Sequence, residues 1–198
     1  MIHTFLSGHF IHQDISERIT LSNISKHENN IMSEQTDLIN KALQTKAPKD
    51  VVLAFLANSG KETVKNVSEA LVHEDAIYTS LNFDNPELAL IEPWAGTRKG
   101  RQIFIDTFSS VGTYWNVDNF EITDILGEND IVAVFGTFTY TSVELGNTFT
   151  SPFSIKSKVE NGQITFLQFM EDTYASAKSF RKEGHWIIQN NGRSIQVG

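Results

Sequence analysis

Val117–Tyr174 reads VDNFEITDILGENDIVAVFGTFTYTSVELGNTFTSPFSIKSKVENGQITFLQFMEDTY. Four β-prone runs stand out in it, at residues 117–126, 130–143, 148–159 and 163–174. Turn chemistry separates them: Glu128-Asn129-Asp130, Glu144-Leu145-Gly146-Asn147 and Asn161-Gly162. Asn-Gly between two alternating runs is a strong two-residue hairpin signal, because both turn residues need positive φ. The runs carry apolar residues on both faces. Val132, Val134, Phe138 and Tyr140 oppose Ile131, Ala133 and Phe135, and in the last run Ile164, Phe166 and Met170 oppose Leu167 and Phe169. One face is expected to pack on helices and the other to need a cover, for which a second copy of the chain is the economical choice. A homodimer with Leu167 or Phe169 near its seam is the expectation.

Upstream the period changes from two to helical. Pro48 suits the first turn of a helix carrying Val51, Val52, Phe55 and Leu56, and Asn58-Ser59-Gly60 ends it. Val64, Val67, Ala70 and Leu71 mark a second helix. Ala76–Leu81 alternates as a strand, residues 82–98 read as a long loop with Pro86 and Pro93, and a third helix from Gly100 buries Ile103, Phe104, Thr107, Phe108 and Val111. Helices first and antiparallel strands after them predict an α+β fold with helices on one face of a sheet.

Several short motifs fall in this order: Asp75-Ala76-Ile77-Tyr78, Pro93-Trp94-Ala95-Gly96-Thr97, Gly100-Arg101-Gln102-Ile103-Phe104, Gly162-Gln163-Ile164 and Phe169-Met170-Glu171-Asp172. From Lys49 to Phe180 the chain resembles the SnoaL-like and ketosteroid-isomerase-like branch of the nuclear-transport-factor-2-like superfamily. The resemblance implies a cone-shaped, curved antiparallel sheet wrapped around about three N-terminal helices, with a pocket open at one end. It also implies a small-molecule pocket protein: a cofactor-independent acid/base enzyme of isomerase, cyclase or hydratase type acting on a small apolar carbonyl compound, or a ligand-binding or dimerisation module of the same fold without turnover. One fold hosts many activities, so the site has to decide between them.

The 198 residues suit one domain with extensions, expected at 32–180 with a leader over 1–31 and a C-terminal extension over 181–198. The leader lacks a lasting hydrophobic period and reads as disordered, as an over-extended start, or as a docking arm. Ser33 is placed to cap a short helix through Leu38, Ile39 and Leu43. Zero cysteines remove thiolate nucleophiles, disulfides and thiolate metal sites. A net charge of −8 argues against nucleic acid as a partner, and no apolar run is long enough to span a membrane. A cytoplasmic location is the matching expectation.

Asp172 is the first candidate for proton transfer. It shares a strand face with Met170 and Tyr174 at the end of an apolar strand, where burial would raise its pKa. The other reading pairs it with an arginine or lets it cap the next turn. The resemblance favours acid/base work, since a late-strand aspartate serves that role in SnoaL-like proteins. Glu171 points to the opposite face and reads as an interface or solvent residue. Tyr78 and Tyr174 are candidate donors to a developing enolate oxygen, and each alone is equally a core ring with its hydroxyl at the edge. Ten Phe, two Trp and all four Tyr lie between Tyr78 and Tyr174; each ring alone reads as ordinary core, and a cavity lined by them would take a planar or greasy ligand. Trp94 at the entrance, Phe83, Phe108 and Met170 are the candidate ligand contacts.

Other polar residues have structural readings beside functional ones. Asp84 is as much a turn starter in Asn82–Pro86 as a base. His73 suits a helix end better than catalysis. Arg101 is expected to pair with an acid such as Glu92. No third ligand stands at metal spacing around His73 and Asp75, so no metal is expected, and no cofactor.

Overall fold

The computed structural model describes residues 33–198. The leader expected over 1–31 lies outside them. Helix α1 spans residues 33–45 and seats Ala42 in the core. It is followed by α2 (Pro48–Ala57), α3 (Val64–Leu71), β1 (Val72–Ser80), α4 (Pro86–Ala89), β2 (Gly96–Lys99) and α5 (Arg101–Tyr114). Four long strands come next: β3 (Trp115–Glu128), β4 (Ile131–Ser142), β5 (Thr148–Glu160) and β6 (Gln163–Glu171). Helix α6 (Thr173–Ser179) and a hairpin of β7 (Trp186–Asn190) and β8 (Arg193–Val197) complete the chain.

The α+β expectation holds. The six-stranded sheet has the order β2-β1-β6-β5-β4-β3 and does not close. Its ladders are antiparallel except β1 with β6, which is parallel. α2 packs across β3, β4, β5 and β6, while α3 and α5 pack on each other and on β1. The core between them holds Val51, Val52, Phe55, Phe104, Phe138 and Leu167, each with no exposed surface. Pro48 opens α2 at its first turn, where its missing N–H costs nothing. Strand β2 lies in the stretch expected to be loop; its four residues pair along β1 from Ile77 to Ser80.

Asn161 and Gly162 both take positive φ (54° and 85°), the geometry their identities dictate for a tight hairpin. Asn191 and Gly192 repeat it between β7 and β8 (46° and 72°). In β4 every even residue from Val132 to Ser142 faces the helices. Gly136 is one of these, and a Cβ there would lie 2.0 Å from the Glu121 carbonyl oxygen and 2.6 Å from the Phe153 ring. The Phe153 ring is itself stacked between Phe120 (4.6 Å) and Phe169 (5.5 Å), so it has no room to retreat. Gly136→Ala is therefore expected to destabilise the fold by at least the roughly 1–3 kcal/mol typical of overpacking. An unchanged urea midpoint would show that the strands separate freely here.

Strand β6 departs from simple alternation. Val159 pairs with Ile164 but Lys158 pairs with Phe166, so Thr165 is an extra residue on β6. Such a bulge exchanges the two faces for everything after it. Ile164 faces inward before it; Leu167, Phe169 and Glu171 face inward after it, opposite Ser157, Ile155 and Phe153. Phe166, Met170 and Gln168 are on the outer face. Neither Leu167 nor Phe169 is placed for the expected seam: Leu167 has no exposed surface and Phe169 packs against the core.

Candidate functional site

A cavity of about 240 Å³ opens between the end of α2, the turn that follows it, α5 and the concave side of the sheet. Seven rings line it: Tyr78, Trp94, Phe108, Trp115, Phe120, Tyr140 and Phe169. Tyr78 packs between Phe104 (5.0 Å) and Phe108 (6.1 Å), and Trp94 meets Trp115 edge-on at 5.3 Å. Trp115 is held in turn by its indole N–H, which donates to Ser179 Oγ at 2.9 Å. At the far end of β1, Leu81 lines the cavity with φ of 65°. A bulky side chain rarely adopts that left-handed backbone, which costs on the order of 1–3 kcal/mol. Its N–H donates to the Phe169 carbonyl at 2.8 Å, and its side chain packs with Leu88 and Ala95. The strained turn ties the α4 segment to the end of β6.

The polar wall is small: Ser59, Ser80, Thr107, the phenols of Tyr78 and Tyr140, and Glu171, with Lys61 at the exposed rim. Glu171 is the acid of the cavity. Burial pushes its pKa up to about 8, helped by the nearby carboxyls of Glu92 and Asp172 and opposed by Ser176. Burial also raises both phenols; the Glu171 charge adds to each rise, and the Ser80 hydroxyl opposes it at Tyr78. Both tyrosines stay protonated as hydrogen-bond donors throughout the physiological range.

Glu92, three residues after α4, has no exposed surface. Burial pushes its pKa up to about 7. Neither of its carboxyl oxygens has a hydrogen-bond partner. Arg101, expected beside an acid of this kind, instead donates from Nε to the Val72 carbonyl at 2.7 Å.

The structure brings Tyr78, Trp94 and Phe108 into the cavity wall and leaves the other sequence candidates out. Asp172 is exposed and caps α6, its Oδ1 accepting from the N–H groups of Tyr174 and Ala175 at 3.1 Å each. The capping alternative is the one realised, and the geometry on which its acid/base role rested is absent. Tyr174 is 40% exposed and packs on Trp186 of the hairpin. Phe83 is 66% exposed, and Met170 is on the outer face after the Thr165 bulge. Asp84 is exposed in the turn before α4, whose cap is the Asn85 side chain. His73 lies in β1 and accepts the Asp75 N–H at Nδ1. Tyr140 and Glu171 line the cavity without being sequence candidates. Alternation groups Tyr140 with Val132, Val134 and Phe138 but does not say which face of β4 meets the helices. Plain alternation in β6 sends Glu171 to the face opposite Ile164, and the bulge at Thr165, which has no mark in the sequence, turns it inward.

Among the described residues no group of three or more His, Cys, Asp or Glu is placed to hold a metal ion. No described helix is long and apolar enough to cross a membrane.

No family model matches the chain. It is 43% identical over 132 residues to Patulin biosynthesis cluster protein F of Penicillium expansum, covering 65% of this chain and 66% of that protein. It is 47% identical over 113 residues to Patulin synthesis protein F of Aspergillus clavatus, covering 56% and 57%. The matched region therefore spans less than two thirds of either relative. Among solved structures, an NTF2-like protein of Burkholderia thailandensis superposes with a TM-score of 0.57 at 19% identity, covering 68% of this chain and 97% of that one. A protein assigned as a SnoaL-like polyketide cyclase from Jannaschia sp. CCS1 does so with a TM-score of 0.57 at 11% identity, covering 69% and 93%. With its unclosed sheet folded over α2, α3 and α5, the chain has the nuclear-transport-factor-2-like fold of these structures.

Proposed function

We propose that this chain is an acid/base enzyme of secondary metabolism that moves a proton on a small apolar carbonyl compound. Glu171 is the proton carrier, and Tyr78 and Tyr140 donate hydrogen bonds to the oxygen where charge develops. The observation that carries this reading is one carboxyl, raised to about 8, in the wall of a cavity lined by seven rings and few polar groups. A carboxyl tuned towards the working pH can both take and return a proton. As carboxylate, Glu171 removes a proton from the carbon beside the carbonyl. The C–H electron pair becomes a C=C bond, the carbonyl oxygen becomes an enolate, and the phenols hold its charge. The same carboxyl then returns the proton to another carbon, or to a departing hydroxyl that leaves as water. The step balances with the carboxyl alone.

The cavity, at about 240 Å³, is below the roughly 300–1,000 Å³ of sites for drug-sized ligands, which favours a compact single-ring substrate. The relatives named for patulin biosynthesis support a place in secondary metabolism. The test is hydrogen–deuterium exchange in heavy water beside the carbonyl of a panel of small cyclic enones, followed by proton NMR. Wild type is expected to speed exchange in at least one of them and Glu171→Gln to lose that effect. Binding without exchange would make the chain a ligand-binding module.

The outer sheet face is the surface we propose for a homodimer. Its register rows run Lys158–Ile131–Glu128, Lys156–Ala133–Leu126 and Ser154–Phe135–Asp124, from β5 across β4 to β3. The centre is apolar, with Leu126 61% and Phe135 42% exposed, while lysines flank one side and acids the other. A two-fold axis through β4 sets each basic edge against the partner's acidic edge. Sedimentation at micromolar concentration is expected to give a dimer burying about 800 Å² per partner, and Phe135→Asp to split it. A monomeric mass for the unmodified chain would end this reading.

A further inference from the structure

Three of the four buried side-chain polar atoms without a hydrogen-bond partner among the described residues lie in one place: both carboxyl oxygens of Glu92 and the Ser176 hydroxyl. Buried polar groups are nearly always paired, so their concentration in one spot calls for an explanation. The packing shows what they face. Leu88 and Ala95, on either side of Glu92, cluster with Phe169 of β6 and Ala177 of α6. Phe169 precedes Glu171 by two residues on the same inward face, and Ala177 follows Ser176. Glu92, Ser176 and Glu171 therefore converge behind the cavity wall, and Glu171 alone of the three reaches the cavity.

Two ionised carboxyls have only acceptors to offer each other. One protonated and one ionised carboxyl make a donor and an acceptor, and a hydroxyl can serve both. Among the described residues no Lys or Arg charge acts on either acid. Lys61 is at the exposed cavity rim, Arg98 of β2 is occupied with the Pro93 carbonyl, and Lys178 is on the exposed side of α6. The remaining titratable neighbours are Asp172, committed to capping α6, and the phenols of Tyr78 and Tyr140 across the cavity.

We propose that Glu92 is a positioning residue for the cavity acid: with Glu171 and the Ser176 hydroxyl it forms a two-carboxyl pair that holds one shared proton, and so keeps a transferable proton at the cavity wall. The inference rests on the reading of Glu171 as the proton carrier. The rise at Glu171 agrees with it: burial is its main cause and the Glu92 charge adds to it, while burial raises Glu92 and the Ser176 hydroxyl opposes the rise at both acids. Protons leave such a pair in two steps that belong to the pair and not to either residue.

The test is a carboxyl-carbon NMR titration of the whole chain with labelled glutamate. In wild type, the Glu92 and Glu171 signals are each expected to move in two steps at shared midpoints. In Glu92→Gln, Glu171 is expected to titrate in one step, with its midpoint lowered by about one pH unit; in Glu171→Gln, Glu92 should do likewise. Ser176→Ala, which keeps both acids, should raise both midpoints. The heavy-water exchange rate of Glu92→Gln should keep its KM and move its pH profile down with the Glu171 midpoint. Independent one-step titrations in wild type, or a Glu171 midpoint unmoved by Glu92→Gln, would overturn the pair. The wild-type curve decides even if Glu92→Gln fails to fold. The two readings fail separately. Coupled titration without exchange leaves the pair standing and removes the enzyme, whereas exchange lost in Glu171→Gln with uncoupled titration does the reverse.

Discussion

Glu171→Gln is expected to lower the turnover number by about 10²–10⁴, the range for loss of a general acid/base group, with KM changed only a few-fold. Glutamine keeps the shape and polarity of the side chain, so the ring-lined wall of Tyr78, Trp94, Phe108 and Phe169 still receives the substrate. What disappears is the atom that takes the proton. Equal losses in kcat and kcat/KM identify an interaction made in the transition state, whereas a rise in KM alone would assign Glu171 to binding. In wild type the rate should climb with pH as the carboxylate forms, with a midpoint near 8. Asp172→Asn is the matched comparison one residue away. Asparagine still caps a helix, so both turnover and stability should stay close to wild type. A large loss in that variant and none in Glu171→Gln would reverse the assignment.

The second large effect is on stability. Glu92 and Glu171 have folded-state pKa values of about 7 and about 8, against an ordinary glutamate value of 4.5. The folded chain therefore binds more protons than the unfolded chain between those limits. The stabilisation from keeping both acids neutral is complete below about pH 4.5 and is lost as pH rises through 7 and 8. Across pH 5 to 9 the loss should reach several kcal/mol, or a fall in Tm of roughly 5–15 °C for a chain of this size. Asp50, Asp75 and Glu160 work in the other direction. Hydrogen bonds from Lys41, Lys99 and Lys158 hold them below the usual carboxylate range, so their small contribution is lost only in acid. Glu92→Gln should flatten the alkaline limb and exceed wild type in Tm above pH 8, because an amide need not lose a proton when buried. A Tm that stays level from pH 5 to 9 would show that neither acid is held neutral by the fold.

Much of the architecture was written in local patterns. Pro48 starts α2, Asn161-Gly162 closes the β5–β6 hairpin, and the alternation in β4 separates its two faces from end to end. These features depend on φ preferences and on side-chain period, which neighbours in sequence decide. Three rings singled out in the sequence, Tyr78, Trp94 and Phe108, line the cavity.

The identity of the acid was beyond that logic. One extra residue at Thr165 turns β6 over, so Glu171 enters the cavity and Met170 leaves it, and Asp172 becomes the cap of α6. A bulge is settled by the fit of β6 between β5 and the parallel β1, contacts with residues far away in the chain. Glu92 was likewise unreadable, because its burial beside Ser176 depends on how the α4 segment closes over the end of β6. Element order and period determined that this chain folds helices onto one face of an antiparallel sheet. Which carboxyls lie among those rings was decided by strand register and long-range packing, because only these set the face a side chain takes and the surroundings that tune its proton.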